Sequence, residues 1–331
     1  MKKMNNNDSP LVSVVMAVYN GGKHLEPAVA SILSQTYTNF EFIVINDGST
    51  DDTQKTIEGF NDPRIIIVNQ KNHGLVYSLN KGIQMARGEY IARMDADDIS
   101  LPSRFEKEVE WLSRDPKRGM VSTYFSLIDF EDGRPIGETM TFPIHHADLR
   151  RSLYVTNPFP HGATMYRKSV VESLGMYDKN DISTEDYGLW VKLSKDWEVG
   201  LIPESLYWYR INNPDSISKL TSNTQEDNVV RIRHEQWSQP FLKKNWLSLW
   251  KDYHDIKYEV PQSYRRMVEY IYKSQQHLLA KELLLHHKYI YGLHQLIGAT
   301  FIYPRGMLKL IYFLPQSIYK RIVRKLRGNK K

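Results

Sequence analysis

The first two thirds of the 331-residue chain are predicted to fold as an α/β domain, a mostly parallel sheet flanked by helices. Short apolar runs rich in β-branched residues alternate with stretches of helical periodicity, and most of these runs end in turn-forming residues. Hydrophobic residues make up 41% and charged residues 25% of the chain, as is usual for a globular domain. Because ligands bind beyond the carboxyl ends of the strands in such sheets, the pattern also indicates where a site would lie.

Four strand–helix units open the predicted domain. We expect strands at residues 11–18, 40–46, 65–68 and 90–94. Apolar residues at helical spacing follow the first, third and fourth strands, and the turn at 47–51 leads from the second strand into a further helix. Pro102 suits the first turn of the helix that carries Phe105 and Leu112.

The pattern is less regular between residues 119 and 210. Strands are expected at 120–128 and 136–142 around a turn at 131–133, a helix opens at 184–186, and a last strand covers 201–209. The composition changes after residues 212–215, which places a domain boundary near residue 220, to within about ten residues. The predicted organisation is a polar tail at 1–10, the α/β domain at 11–220 and a helical extension at 221–331.

The charge of the chain is concentrated at one end. Of the 44 Lys and Arg residues, nine lie within 301–331, which has no acidic residue, and this leaves 35 basic against 38 acidic residues in 1–300. A basic terminal segment on a slightly acidic body indicates binding to an anionic surface, and no nucleic-acid partner is expected. The chain has no cysteine, which excludes disulfides, thiolate metal sites and thiol nucleophiles.

The segment at about 303–331 is predicted to contact a membrane surface. From Ile318 onward, at about 100° per residue, the apolar and basic side chains separate onto opposite faces of a helix. Pro304 and Pro315 interrupt the segment, and no run of about 18 uncharged apolar residues could span a bilayer. The alternative is an amphipathic helix that packs on the body. Residues 1–10 lack an apolar leader core, so we expect a cytoplasmic protein, peripheral on the inner face of the cell membrane.

Three acidic groups are candidates for chemistry. Asp95 and Asp97 follow a strand and, being two residues apart, should point to the same side, where their carboxylates would suit Mg²⁺ or Mn²⁺. The alternative is a solvated loop in which Asp98 or Ser100 caps the next helix.

Asp47 follows the second strand, where it either accepts hydrogen bonds from a ligand or closes an Asx turn. The pair Glu185–Asp186 at a helix start is either a cap or a site with a general base.

Together these segments resemble glycosyltransferase family 2 over about residues 10–220, in order and in spacing. The matching segments are 12–20 (VSVVMAVYN), 43–52 (IVINDGSTDD), 72–82 (NHGLVYSLNKG), 86–98 (ARGEYIARMDADD), 184–193 (TEDYGLWVKL) and Tyr209-Arg210 followed by 216–218 (SIS). The resemblance implies a GT-A fold, a nucleotide-diphospho-sugar donor (a UDP-sugar is expected), a divalent Mn²⁺ or Mg²⁺ and inversion at the anomeric carbon. The implied acceptor is a polysaccharide or lipid-linked saccharide.

The resemblance also implies roles for individual residues. Those expected at the nucleotide are Ala17, Val18, Tyr19, Asp47, Asn72 and Asp95. Asp97 would be the principal metal ligand, assisted by Asp95. Asp186 would be the catalytic base and Glu185 would contact the acceptor. His161 is either close to the acceptor or a structural histidine.

Two positions depart from the family pattern. Many relatives have Arg where this chain has Leu79, and His where it has Asn212, next to what looks like a one-residue insertion. The diphosphate contacts would then fall to Lys71 or Arg210, or to the metal. These departures leave open a catalytically degenerate scaffold that docks on a membrane. The loop at 19–23 keeps a sugar-phosphate nucleotidyltransferase as a weaker alternative.

Overall fold

The computed structural model describes residues 9–153 and 157–213, together with residues 225, 228, 229, 231 and 232. The predicted helical extension lies almost entirely outside the described residues, and so does its basic segment at 303–331. Within the described part of the chain, no helix is long and apolar enough to cross a membrane.

The amino-terminal half consists of strand–helix units, as the alternation of patterns predicts. In chain order the elements are β1 (Val12–Val18), α1 (Leu25–Leu33), β2 (Phe40–Asn46), α2 (Thr53–Glu58), β3 (Ile65–Asn69), α3 (Leu75–Met85), β4 (Tyr90–Met94), β5 (Ile99–Ser100) and α4 (Arg104–Ser113). The four predicted strands of this half are confirmed to within one residue at each end.

The second half has a long two-stranded ladder and several short elements. These are β6 (Arg118–Asp129), β7 (Pro135–Met140), α5 (His146–Ser152), β8 (Met165–Arg167), α6 (Lys168–Ser173), α7 (Glu185–Asp196) and β9 (Glu198–Ile211). The sequence pattern did not predict β5, α5, β8 or α6. The two strands have only two and three residues, too short for a period to be recognised.

All nine strands belong to one mixed sheet with the order β3-β2-β1-β4-β8-β6-β9-β5, and β7 pairs with β6 beside this path. The long ladders are parallel, between β1 and each of β2 and β4, between β2 and β3, and between β6 and β9. The short β8 runs antiparallel to both β4 and β6 and joins the two parallel halves.

The central strands are buried because helices cover the sheet. Every residue of β2 and of β4 is buried, which explains their nearly continuous apolar sequence. Helix α3 approaches β1 closely at Gly82, where an added Cβ would stand 2.5 Å from a methyl group of Val15. Leu79 of the same helix is 1% exposed and lies in the core.

Candidate active site

The carboxyl ends of β1, β2 and β4 meet at one edge of the sheet. Val18 pairs with Asn46, and Met16 pairs with Met94, so the three strands end within two residues of a common line. The loops that follow them carry Tyr19, Asp47 and the acidic run 95–98. The expectation that these polar residues share one edge is confirmed, as parallel pairing requires.

Asp47 is 4% exposed and shapes the loop that contains Asn72. Its carboxylate accepts hydrogen bonds from the backbone amides of His73 at 2.9 Å and Gly74 at 2.8 Å, and from Gln70 Nε2 at 2.7 Å. The alternative in which Asp47 closes an Asx turn is wrong, because Asn46 Oδ1 accepts the Ser49 amide at 3.1 Å. A nucleobase contact by Asp47 stays a prediction.

Lys71 and Asn72 are exposed beside this strand edge. Gly48, with a φ of 78°, lets Asn72 come close, since a Cβ there would stand 2.6 Å from the Asn72 amide nitrogen. On the β1 side Ala17 is half-buried, Val18 is buried, and Tyr19 is 53% exposed. These residues therefore lie at the ends of β1 and β2, and Lys71, Asn72 and Tyr19 are open to solvent there.

Asp95 is fixed by a buried arginine and a glycine. Arg93 Nη1 lies 2.6 Å from Asp95 Oδ1, and the Arg93 side chain is 2% exposed. Gly162 packs against the other carboxylate oxygen, because an added Cβ would stand 2.6 Å from Asp95 Oδ2 and would overlap the Tyr207 hydroxyl. Arg104 Nη2 donates to the Arg93 carbonyl at 3.1 Å and so supports the end of β4.

Asp97 and Asp98 differ in their surroundings. Asp97 is half-buried, and burial together with the charge of Asp95 raises its pKa to about 6. Asn213 hydrogen-bonds to its carboxylate. Asp98 is fully buried and accepts hydrogen bonds from the Tyr207 hydroxyl at 2.8 Å and the Arg210 amide at 2.6 Å. The alternative in which Asp98 or Ser100 caps the next helix is wrong, because α4 has Ser103 at its N-cap.

The arrangement of Asp95 and Asp97 fits a hard divalent cation. The two carboxylates lie close enough for the charge of one to raise the pKa of the other, and a cation between them would relieve that repulsion. Among the described residues no three His, Asp or Glu side chains form a ready-made metal site. The cation would therefore need further ligands, such as substrate phosphate oxygens and water, which is how Mg²⁺ usually binds.

The two positions that depart from the family pattern have structural roles. Leu79 is a core residue. Asn212 has a φ of 71° and donates through Nδ2 to Asp129 Oδ2 at 3.1 Å, so its side chain turns toward the β6–β7 turn. The following residue, Asn213, contacts Asp97 instead. The Arg210 guanidinium donates to the carbonyls of Asp97 at 2.6 Å and Asp129 at 3.2 Å.

Glu185 and Asp186 begin helix α7, and both have perturbed carboxyl groups. Burial raises the pKa of Glu185 to about 7, and the negative charge of Asp186 adds to that rise. Burial raises the pKa of Asp186 to about 6. Asp186 is held by Asn157, whose Nδ2 donates to Oδ2 at 2.7 Å. A carboxyl group with a pKa of about 6 remains mostly ionised at neutral pH and accepts protons readily.

His161 lies behind Glu185 in a buried cluster. His161 Nδ1 is 3.8 Å from Glu185 Oε1, and Nε2 hydrogen-bonds to the Tyr177 hydroxyl at 2.8 Å. Burial and the nearby Arg93 hold the pKa of His161 well below its usual value, so the ring is neutral at physiological pH. Tyr177 also hydrogen-bonds to the Tyr166 hydroxyl at 3.2 Å.

The two acidic groups are within electrostatic reach of each other. The charge of Asp95 contributes to the raised pKa of both Glu185 and Asp186, and the charge of Arg93 opposes it. Burial raises the pKa of Tyr209, and carboxylates of the 95–98 loop and of Asp186 add to that rise. Residues distant in the chain therefore converge beyond the carboxyl end of β4.

Sequence reasoning missed several residues of this site, which are Arg93, Asn157, Gly162, Tyr177, Tyr207 and Asn213. Arg93 lies inside a strand whose other residues are apolar, and a charged residue in a buried strand is the signal that could have found it. The other residues in this set carry no comparable local signal, because their contacts are all made between distant segments.

Comparison with known proteins agrees with this geometry. The chain belongs to glycosyltransferase family 2: the family model described as "Glycosyl transferase family 2" matches residues 13–175. The O-antigen biosynthesis glycosyltransferase WbnJ of Escherichia coli is 33% identical over 247 residues, which cover 72% of this chain and 91% of that relative. The resemblance stated from the motifs is thus confirmed. The nucleotidyltransferase alternative is not supported, and Lys23, on which it rested, pairs with Glu131 at 2.7 Å.

Solved structures of two proteins share the fold. TarS residues 1–349 of S. aureus, in complex with UDP-GlcNAc, superposes with a TM-score of 0.56 at 17% identity and covers 86% of this chain and 87% of its own. The mannosyltransferase PcManGT of Pyrobaculum calidifontis, in complex with GDP-Man and Mn²⁺, has a TM-score of 0.51 at 16% identity, with 81% and 86% covered. The predicted GT-A fold is confirmed.

Proposed function

We propose that the protein transfers a sugar, with inversion, from a nucleotide-diphospho-sugar to a hydroxyl group of a saccharide acceptor. The observation that carries this proposal is the convergence of two acidic groups, the 95–97 loop and the Glu185–Asp186 pair, beside one edge of a parallel sheet. Such an edge is the usual ligand site of the architecture. The donors bound by TarS and PcManGT support a nucleotide sugar as substrate, and a UDP-sugar is the first donor to test.

The donor would lie along the ends of β1, β2 and β4. The backbone at Ala17–Tyr19 and the loop with Asn72 would contact the nucleobase, and the Asp47 carboxylate would keep that loop in place. Asp95 would reach the ribose or share the metal with Asp97. Lys71 is exposed at this edge and can approach the diphosphate. Arg210 is committed to two carbonyl groups, so it would mainly hold the 97–98 loop.

Asp97 and Asp95 would hold a Mn²⁺ or Mg²⁺ ion, in keeping with the Mn²⁺ of the PcManGT complex. When bound, the ion would neutralise charge on the departing nucleoside diphosphate. Asn213 hydrogen-bonds to the Asp97 carboxylate, and Arg93 fixes Asp95. The protein thereby holds the two ligands in a set orientation before the donor arrives.

Asp186 would act as general base at the acceptor. The acceptor oxygen forms a bond to the anomeric carbon while the bond from that carbon to the diphosphate oxygen breaks, and the electron pair leaves with the nucleoside diphosphate. The hydroxyl proton passes to Asp186, which Asn157 orients. Glu185, backed by the neutral His161 at 3.8 Å, would contact the acceptor. A single base opposite the leaving group gives inversion.

The acceptor is proposed to be a growing polysaccharide or a lipid-linked oligosaccharide, which the role of the relative WbnJ in O-antigen biosynthesis supports. The basic segment at 303–331 would place the enzyme against anionic lipid, on the inner face of the cell membrane.

A nucleotide-release screen tests the proposed function. UDP- and GDP-sugars are incubated with the protein and Mn²⁺ or Mg²⁺, with bacterial membrane extract as acceptor. We expect release that depends on both metal and extract, and NMR of the product should show an inverted anomeric centre. A retained configuration would refute the mechanism. Failure of UDP and GDP to bind in calorimetry with Mn²⁺ would favour the degenerate scaffold instead.

A further inference from the structure

The loop at residues 180–184 determines where helix α7 begins. The Thr184 amide donates to the Asp181 carbonyl at 2.9 Å, and the Gly188 amide donates to the Thr184 carbonyl at the same distance. Ser183 adopts a φ of 62°, a left-handed conformation that is uncommon for a residue other than glycine. Because Glu185 and Asp186 come directly after this loop, its conformation sets the direction of both carboxylates.

Three polar side chains from a later segment of the chain contact this loop. Gln225 Nε2 donates to the Ser183 carbonyl at 3.1 Å, and Asn228 Nδ2 donates to the Ile182 carbonyl at 3.0 Å. Arg231 Nη2 contacts the Asn180 carbonyl at 3.5 Å and pairs with Asp181 Oδ1. Gln225, Asn228 and Arg231 are helical residues spaced by three, which places them on one helix face. We call these three residues the loop clamp.

The contact with Asp181 extends into α7 itself. Asp181 is 3% exposed, and Arg231 supplies the positive charge that compensates its buried carboxylate. The other carboxylate oxygen packs on the backbone of α7, where a Cβ at Gly188 would overlap it. Ile232, which is 5% exposed, reaches the same glycine from the clamp side, 3.5 Å from that Cβ position. One turn of α7 is thus held by residues more than 40 positions away.

We propose that the loop clamp consists of positioning residues that fix the Glu185–Asp186 pair for transfer. This inference rests on the proposed role of Asp186 as base. The hydrogen bonds of Gln225, Asn228 and Arg231 described above lie on residues 180–183, directly before the first turn of α7. The donor side is formed by a different part of the fold, the ends of β1, β2 and β4. Loss of the clamp should therefore impair transfer much more than donor binding.

The main test compares Arg231→Ala with Arg114→Ala. Arg114 is the exposed C-cap residue of α4 and pairs with Glu110 at 2.6 Å, so it serves as the matched control. We expect Arg231→Ala to lower kcat for transfer to membrane extract about 10- to 100-fold, the size expected when a reacting group is misplaced by about 1 Å. The Kd for UDP with Mn²⁺, measured by calorimetry, should stay within about twofold of the wild-type value.

A second readout follows the loop without any activity. Hydrogen exchange of a peptide covering residues 181–188 should be faster in Arg231→Ala than in the wild type. The amides of Thr184 and Gly188 donate to carbonyl groups of this loop, and those hydrogen bonds should open more often when Arg231 no longer holds the loop. Asp181→Asn keeps the size of the side chain and removes the charge that Arg231 pairs. It should show the same pattern, and it replaces Arg231→Ala if that variant does not fold.

Three outcomes would overturn the inference: wild-type kcat in both variants, unchanged exchange at 181–188, or a parallel loss of UDP binding and kcat, which indicates a general structural role. Asp186→Asn is measured beside them. If Asp186→Asn transfers sugar at the wild-type rate, the proposed base is wrong and the exchange experiment still tests the clamp. If Asp186→Asn is inactive while Arg231→Ala and Asp181→Asn transfer sugar at the wild-type rate, the proposed base stands and the positioning role of the loop clamp is refuted.

Discussion

Gly162 is the position where a single methyl group should disturb the site most directly. The residue lies in a short 3-10 turn, His161–Ala163, between Asp95 and Tyr207. In Gly162→Ala the new Cβ would stand 2.6 Å from Asp95 Oδ2, whereas ordinary van der Waals contact begins at 3.4 Å, and it would also overlap the Tyr207 hydroxyl. Neither neighbour is free to move, because Arg93 holds Asp95 at 2.6 Å and Tyr207 donates to Asp98 at 2.8 Å.

The expected cost is that of overpacking a filled site, about 1–3 kcal/mol. For a domain of this size each kcal/mol lowers Tm by roughly 2–4 °C. A shift of Asp95 by several tenths of an ångström should also raise the Mn²⁺ concentration needed for half-maximal nucleotide release, and should reduce kcat by up to about 100-fold. Calorimetry measures the first effect, and a metal titration of nucleotide release measures the second.

Gly59→Ala is the matched control for this prediction. Gly59 ends α2 with a φ of −67°, which alanine adopts without strain, and its nearest neighbour is a carbonyl oxygen 3.3 Å from the Cβ position. The control should keep Tm within a few degrees and leave the Mn²⁺ dependence unchanged. If Gly162→Ala behaves like Gly59→Ala in both assays, the contact between the 161–163 turn and Asp95 does not matter for the site.

Three further predictions concern charged groups. Asp97→Ala should abolish metal-dependent nucleotide release, and full activity of this variant would exclude Asp97 as the principal ligand. Because burial raises the pKa of Asp186 to about 6, kcat should fall as the pH drops through about 6 and the base becomes protonated; a flat profile between pH 5 and 8 would contradict this. Burial raises the pKa of Glu108 from 4.5 to about 8, although Arg104 is its ion-pair partner. The folded state therefore binds the Glu108 proton more tightly than the unfolded state. The free energy of unfolding should fall as the pH rises from about 4.5 to 8, by up to about 5 kcal/mol at 1.4 kcal/mol per pKa unit. Urea unfolding at pH 5 and pH 8 should show that Glu108→Gln lacks this fall, and an equal fall in the variant would locate it elsewhere.

The sequence predicted those strands and helices whose local residue pattern reflects their place in the folded domain. Strands β1, β2 and β4 are almost entirely buried, so their apolar runs are recognisable in the sequence, and the turn residues after β2 and β4 marked the edge where Asp47 and Asp97 lie. Helix α7 was found at its start because Thr184-Glu185-Asp186 is a local signal. Short strands such as β8 form only because β4 and β6 present pairing edges on both sides.

The same distinction applies to the site. Asp97 and Asp186 were identified from motifs, but the residues that hydrogen-bond to their carboxylates lie elsewhere in the chain. Asn157 and Asn213 are two ordinary polar residues in loops, and each contacts a carboxylate through tertiary structure. Asn212, the position that the family pattern singled out, turns toward Asp129, whereas its neighbour Asn213 contacts Asp97.

The central claim is that two acidic groups divide the work, one at the donor and one at the acceptor. Asp186→Asn tests it most directly, since the substitution keeps the size of the side chain and removes its basicity. Calorimetry with UDP and Mn²⁺ should give a Kd within about twofold of the wild-type value, while kcat for transfer falls by about 100-fold or more. Transfer at the wild-type rate by Asp186→Asn, with UDP binding intact, would contradict the account.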